Sequence, residues 1–396
     1  MKTKKTWNQH IVKRENKKLV LNTIREKAPI SRADIANITG LNKGTVSSLV
    51  AELIDENLIY ESGHGESSGG RRPVMLLFNK SAGYSIGINL DVNYILGVLT
   101  DLDGNVILED SIKLYDDHFQ LIKEKLFNMI DLFIHSAPKS PYGIIGIGVG
   151  VPGIVNNRGM LLLAPNLNWR NIDLKDVIEQ KYHLPVTIEN EANAGAFGEK
   201  KFGLGDNSKH IIYVSVGIGI GVGQILNGEL FKGYNGFAGE LGHITIKNDG
   251  KQCLCGNVGC WELYASERAL INHAKKTLHH SNKDEITLDY LISLAEDGNE
   301  QVIDLFQELG DYLGIGINNI INIFNPEQII IGNRIAFAKN WVIESINKRI
   351  ETGTNHFQHQ DLKLDFSELN IYSPAVGMAA ISIERFFEYQ FENVQV

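Results

Sequence analysis

Only three residues, Gly40-Leu41-Asn42, separate two segments whose helical ends are written into the sequence, and so short a connection leaves few folds open to the start of this chain. Ser31 offers a hydroxyl to the free N–H groups of a helix beginning there, Asp34 answers three positions on as a weak capping box, and Gly40 is the residue type on which helices commonly stop. Asn42 then caps a second helix, with Leu41 and Val46 at the spacing of a hydrophobic staple. Val46, Leu49, Val50, Leu53 and Ile54 share one face, which leaves Lys43, Gly44, Thr45, Ser47 and Ser48 outside. Helix, three-residue turn, helix is the geometry that places short polar side chains in a major groove. Ahead of it, Leu19, Val20 and Ile24 within Glu15 to Lys27, closed by Pro29, predict one more helix.

Past Asn57, strand-like runs over 58–61 and 74–78 bracket a Gly/Ser-rich loop that ends in Arg71-Arg72-Pro73, the composition of a wing that follows the phosphate backbone or enters the minor groove. Residues 1–73 hold 13 Lys and Arg against 8 Asp and Glu, whereas the remainder holds 25 against 39. A solvated lysine-rich tail would give the same charge, and a plain three-helix bundle the same caps. Caps, staple, basic excess and wing in this order favour DNA over both. The predicted contacts are Ser31, Arg32, Asn42, Lys43, Gly44, Thr45, Ser47, Ser48, Arg71 and Arg72, in a winged helix-turn-helix domain over 1–80. One such module reads a short half-site, so a homodimer on palindromic double-stranded operator DNA is expected.

From Ser85 the hydrophobic period shortens. Runs at 85–90, 94–100 and 105–111 around the Asp101-Leu102-Asp103-Gly104 turn predict strands, followed by a helix over 119–136 and a buried strand over 144–149. A similar antiparallel pattern at 210–215 and 220–226 closes on the Asn227-Gly228 hairpin signal. Two related halves predict an α/β body of two lobes, 81–195 and 196–396, with a cleft between them and the last helix returning to the first lobe. More than half of the 39 glycines cluster between Gly143 and Gly259, where close backbone approach suits a ligand.

All three cysteines fall at Cys253, Cys255 and Cys260, which is no disulfide framework. Three thiolates and the imidazole of His243 form a donor set that suits tetrahedral zinc in a closed structural site. No run approaches the ~18 apolar residues of a membrane span, and Met1 to Leu19 lacks the apolar segment of a secretory signal, so a cytoplasmic protein is expected.

Five stretches in order make the body resemble the ROK family of repressors, open reading frames and kinases: Gly146-Ile147-Gly148-Val149-Gly150-Val151-Pro152-Gly153, Ala164-Pro165-Asn166-Leu167-Asn168-Trp169, Glu189-Asn190-Glu191-Ala192-Asn193-Ala194, Gly236-Phe237-Ala238-Gly239-Glu240-Leu241-Gly242-His243, and Cys253 to Glu262. The resemblance implies an actin-like, ribonuclease-H-like fold of sugar-kinase type, and it agrees on the four metal positions. It also implies sugar contacts at Asn190, Glu191, Glu240, His243 and Glu262, with Gly153 and Asn166 as weaker candidates, the zinc loop presenting Glu240 and Glu262. Over the whole chain it favours a repressor, with D-xylose as effector and glucose as competitor. The residues themselves do not fix the sign of regulation.

A kinase of this family would carry Asp-x-Gly-x-Thr at the first hairpin, and the chain reads Asp91-Val92-Asn93-Tyr94-Ile95. At the second phosphate loop Ile218 of Gly217-Ile218-Gly219 replaces a hydroxyl, and Glu191 stands where the family places its aspartate base. A longer carboxylate shifts the base by about an ångström, although a glutamate is still a base in principle. These departures predict sugar binding without phosphoryl transfer and without ATP. The alternative is a sugar kinase fused to a DNA-binding module.

Overall fold

The computed structural model describes residues 9–64, 72–278 and 283–392. Its N-terminal part runs α1 (Gln9–Lys27), β1 (Ile30–Ser31), α2 (Arg32–Thr39), α3 (Lys43–Asp55), β2 (Ile59–His64) and β3 (Val74–Phe78). Local chemistry sets the helix ends. The Ser31 hydroxyl accepts from Asp34 N–H, the Asn42 side chain accepts from Thr45 N–H, and Gly40 adopts the left-handed conformation (φ 72°) that lets its N–H return to the Ala36 carbonyl. Strands β2 and β3 pair antiparallel, and β1 adds to the far side of β3. Helix α1 starts at Gln9, ahead of the expected Glu15; Ile11 and Val12 are the apolar residues between Gln9 and Arg14, and being adjacent they set no helical period.

The first lobe contains β4 (Tyr84–Leu90), β5 (Tyr94–Asp101), β6 (Val106–Lys113), α4 (Phe119–Ser136), β7 (Ile144–Val151), β8 (Ile154–Val155), β9 (Leu161–Ala164), β10 (Trp169–Ile172), α5 (Leu174–Tyr182), β11 (Val186–Asn190) and α6 (Glu191–Phe202). The second contains β12 (Ile211–Val216), β13 (Ile220–Leu226), β14 (Glu229–Leu230), α7 (Glu262–Ala265), α8 (Glu267–Thr277), α9 (Leu288–Glu296), α10 (Glu300–Phe324), β15 (Gln328–Gly332), α11 (Lys339–Gly353), α12 (His356–His359), β16 (Lys363–Phe366) and α13 (Ser373–Glu392). Each lobe is built on a five-stranded sheet of the same design, β11-β7-β4-β5-β6 and β14-β13-β12-β15-β16. In each, three strands form antiparallel hairpins and two follow in parallel. The central strands β4, β7, β12 and β15 are buried on both faces, as sheets covered by helices require.

The lobes exchange helices. Helix α6 leaves the first sheet and packs on β12 and β13 of the second, while α13, the last element, packs on β4, β5 and β7 of the first. The expected boundary at 195 therefore falls inside α6, because a helix that crosses between sheets is assigned by its packing partners rather than by its sequence position. Helices α6 and α13 meet backbone to backbone: a Cβ on Gly377 would stand 1.8 Å from the Ala194 carbonyl oxygen, and one on Gly198 2.2 Å from that of Ser373. The far end of α13 carries Ile383, Phe387 and Phe391 into one core with Val20, Ile24, Leu58 and Leu76 of the winged helix.

Candidate functional site

At the N-terminus of α3, Asn42, Lys43, Gly44, Ser47 and Ser48 are exposed and Thr45 is half-buried, while Val46, Leu49, Val50 and Leu53 face the core. The helix thus presents a polar end backed by a packed stripe. Arg32 donates to Glu61 at 2.8 Å, tying α2 to β2, and Arg72 is exposed. Ser31 is different: it is 3% exposed, its hydroxyl accepts from Asp34 N–H at 3.2 Å and donates to the Asp34 carboxylate at 2.6 Å. Its place is inside the domain, capping α2 as expected, and that burial leaves it no face for the DNA contact also expected of it. Arg71 lies outside the described residues.

Between the lobes lies a cleft of about 630 Å³, built at strand ends: Asp91 after β4, Gly153 after β7, Asn190 at the end of β11, Ile218 in the β12–β13 hairpin and Asn333 after β15. It gathers all the expected sugar residues, Gly153, Asn166, Asn190, Glu191, Glu240, His243 and Glu262. They divide by role. The Asn190 side chain accepts from the N–H groups of Ala192 and Asn193 at 2.9 and 3.2 Å and donates to the Gly153 carbonyl at 2.9 Å, so it caps α6 and joins two walls of the cleft. Asn166 accepts from Arg268 of α8 at 2.9 Å, a bond from one lobe to the other. Glu191, first residue of α6, keeps a buried carboxylate oxygen with no hydrogen-bond partner among the described residues. Burial pushes its carboxyl up to about 8, and the neighbouring Asp91 charge adds to the effect. A polyol hydroxyl is the kind of group that satisfies such an oxygen.

Glu240 and His243 sit on one short turn, Glu240–His243, and Glu262 opens α7. The His243 ring faces two ways, with Nδ1 3.5 Å from Glu262 and 3.6 Å from the Cys253 sulfur, and Nε2 3.9 Å from Glu240. Behind it the sulfurs of Cys255 and Cys260 are 3.7 Å apart. The four donor atoms of His243, Cys253, Cys255 and Cys260 all lie within 4.8 Å of one another. Tetrahedral zinc with bonds near 2.3 Å to sulfur and 2.05 Å to nitrogen needs edges of about 3.8 Å between sulfurs and about 3.6 Å from sulfur to nitrogen. The cluster fits that ion, and Nδ1 is the nitrogen turned toward it.

At the other end of the cleft Asp91 accepts from the N–H groups of Val92 and Asn93 at 2.6 and 3.4 Å, closing its own loop. Burial raises its carboxyl, with those two bonds and the Arg334 charge acting against the rise. Asn333 is held at φ 64°, ψ −157°, a region few side chains adopt, and donates to the Ser215 hydroxyl at 3.1 Å. Arg334 next to it pairs with Glu267 and Asp289. The sequence reading missed this cluster and Arg268, because each of these residues acquires its partner only when the sheet and α8 come together.

The ROK family profile matches residues 85–385 and a winged helix-turn-helix DNA-binding profile matches 13–60. The xylose repressor of Bacillus spizizenii is 48% identical over 96% of this chain and 98% of its own length. Among solved structures, a ROK family transcriptional regulator homologous to the Escherichia coli MLC protein superposes with a TM-score of 0.81 at 31% identity, covering 97% of this chain and 98% of that one. A ROK family glucokinase from Streptomyces griseus, solved with glucose and AMPPNP, superposes at 0.70 with 29% identity, over 76% of this chain and 99% of its own.

Proposed function

The chain belongs to the ROK family, and from that premise we propose that it is a sugar-responsive transcriptional repressor of a sugar-utilisation operon, released from its operator by D-xylose. The observation that carries this reading is one chain holding both a groove-sized polar helix end and a polyol-sized cleft with an unsatisfied buried carboxylate oxygen at Glu191. Repressors with xylose in their names, 43–48% identical over nearly the whole chain, support the effector and the sign of regulation.

Glu191, Glu240, His243 and Glu262 hold the sugar hydroxyls, and Asn190 fixes the wall from which Glu191 projects. Zinc bound by His243, Cys253, Cys255 and Cys260 crosslinks the loop that carries Glu240 and His243 to the start of α7, so the metal serves the pocket's shape. Sugar enclosed between the lobes sets their closure, and a dimer transmits it to the spacing of two winged helices on a palindrome. A 100-fold preference of the sugar for the form that does not bind DNA, about 2.7 kcal/mol, shifts occupancy substantially. Gel shifts on operator DNA across a panel of pentoses and hexoses test the reading. Loss of operator binding with millimolar D-xylose is the expected result, and a response to another sugar alone rejects xylose while keeping the mechanism.

A further inference from the structure

Arg25, on the last turn of α1, stands where three parts of the molecule meet. Its guanidinium carbon lies 5.3 Å from the ring centre of Phe78 on β3 and 5.1 Å from that of Phe387 on α13. One terminal nitrogen reaches the Leu102 carbonyl, in the turn between β5 and β6, at 3.5 Å. Its Nε is buried and has no hydrogen-bond partner among the described residues. Beside it opens a cavity of about 320 Å³ whose walls include the carboxylate of Asp103 and that of Glu384, the latter held by Lys201 at 2.7 Å. The two rings pack on each other with their centres 6.3 Å apart, so the cation caps one side of the pair; with one donor unsatisfied and the Asp103 carboxylate across an open space, it has a second place to go.

The other end of this arrangement is the cleft. Helix α6 begins at Glu191 in the pocket and touches α13 through glycine-mediated backbone contact, which leaves no slack between the two helices. Helix α13 is also pinned to the first sheet, where the Ser85 hydroxyl donates to the Ala379 carbonyl at 3.1 Å. Packed elements of this kind shift as bodies rather than deform. A displacement of α6 on sugar binding therefore carries α13, and with it Phe387, relative to Phe78.

We propose that Arg25 is the positioning residue that passes the state of the cleft to the winged helix, by way of α6 and α13. It touches neither sugar nor DNA. Seated on the Phe78–Phe387 pair it holds the winged helix in one orientation; released into the cavity it lets the domain turn. The inference rests on the sugar-responsive reading above and assigns the contact through which that response travels.

The test uses the full-length protein and measures two things for the parent, Arg25→Gln and Phe387→Leu: D-xylose affinity by calorimetry, and the ratio of operator affinities without and with millimolar D-xylose. Arg25→Gln is expected to bind xylose within about twofold of the parent and to bind operator, while its ratio falls to within about twofold of one. Phe387→Leu keeps an apolar side chain in the shared core but removes the ring face, and the same collapse is expected; it decides the matter if Arg25→Gln does not fold. A variant that is folded by circular dichroism and retains the parent's ratio overturns the proposal. A parent whose operator binding responds to no sugar overturns instead the reading on which it rests, and the proposal with it.

Discussion

Nε of Arg334 donates to both carboxylate oxygens of Glu267, at 3.2 and 3.0 Å, and Glu267 is only 4% exposed. A second nitrogen of the same guanidinium donates to Asp289 at 3.1 Å. Removing one member of such a pair strands a buried charge. Arg334→Ala is expected to lose about 3 kcal/mol of stability in urea titration, and Glu267→Gln in the same background to recover part of it. A shift within experimental error for Arg334→Ala would show that water replaces the guanidinium.

The loop at Asp91 is closed by its own carboxylate, and Ile218 lines the cleft at the position where the family resemblance implies a phosphate-binding hydroxyl. Purified protein is expected to release no ADP from ATP with D-xylose or D-glucose. Saturable sugar phosphorylation abolished by Glu191→Gln would revive the fused kinase.

Burial gives Glu191 a folded-state value of about 8 against an ordinary 4.5. The folded chain holds a proton that the unfolded chain has released, so the stability linked to this group is full below 4.5 and is lost as pH rises through about 8. Glu191→Gln removes that dependence. Relative to the parent, its melting temperature is expected to rise steadily between those limits, the variant gaining on the order of 1 kcal/mol or more. Parallel pH profiles for the two proteins would contradict this.

One zinc per chain is expected in elemental analysis. Cys260→Ser, which removes a fully buried sulfur from the four-donor cluster, is expected to lose both the metal and measurable sugar binding. Full sugar affinity in a metal-free protein would separate the cluster from the pocket.

Lys43, exposed at the tip of α3, is expected to meet a phosphate. Lys43→Ala should weaken binding to operator and non-operator DNA alike and lower the slope of log affinity against log salt by about 1. A loss confined to operator DNA would instead mark a base contact.

What the sequence disclosed and what it withheld follows from the range of the interactions involved. The caps at Ser31 and Asn42 and the glycine at Gly40 act within one turn, and each appears in the fold as the residue pattern implied. The hairpin strands of the first lobe begin within a residue or so of their expected starts, since alternation is a local signal. Strand β1 was invisible: two residues carry no period, and only β3, some forty positions away, makes them a strand. The pocket residues were accessible through the family resemblance, but not their division of labour. Nothing in the segment around Asn190 says that both ends of its amide are engaged by Gly153 and α6, or that Arg268 reaches Asn166 across the cleft. Arg25 looks like any helix-end cation until Phe387 arrives from the other end of the chain.

The return of α13 to the first sheet orders events on the ribosome. Strand β4 emerges early, yet the helix that covers it is synthesised nearly three hundred residues later, as the bond between Ser85 and Ala379 records. Until then one face of that sheet, and the flank of the winged helix that receives Phe387 and Phe391, stay bare. Contacts of such sequence separation form slowly and last. A nascent or prematurely terminated chain therefore carries its reading head without the element that seats it, and only a finished molecule can present that head in a defined orientation to an operator.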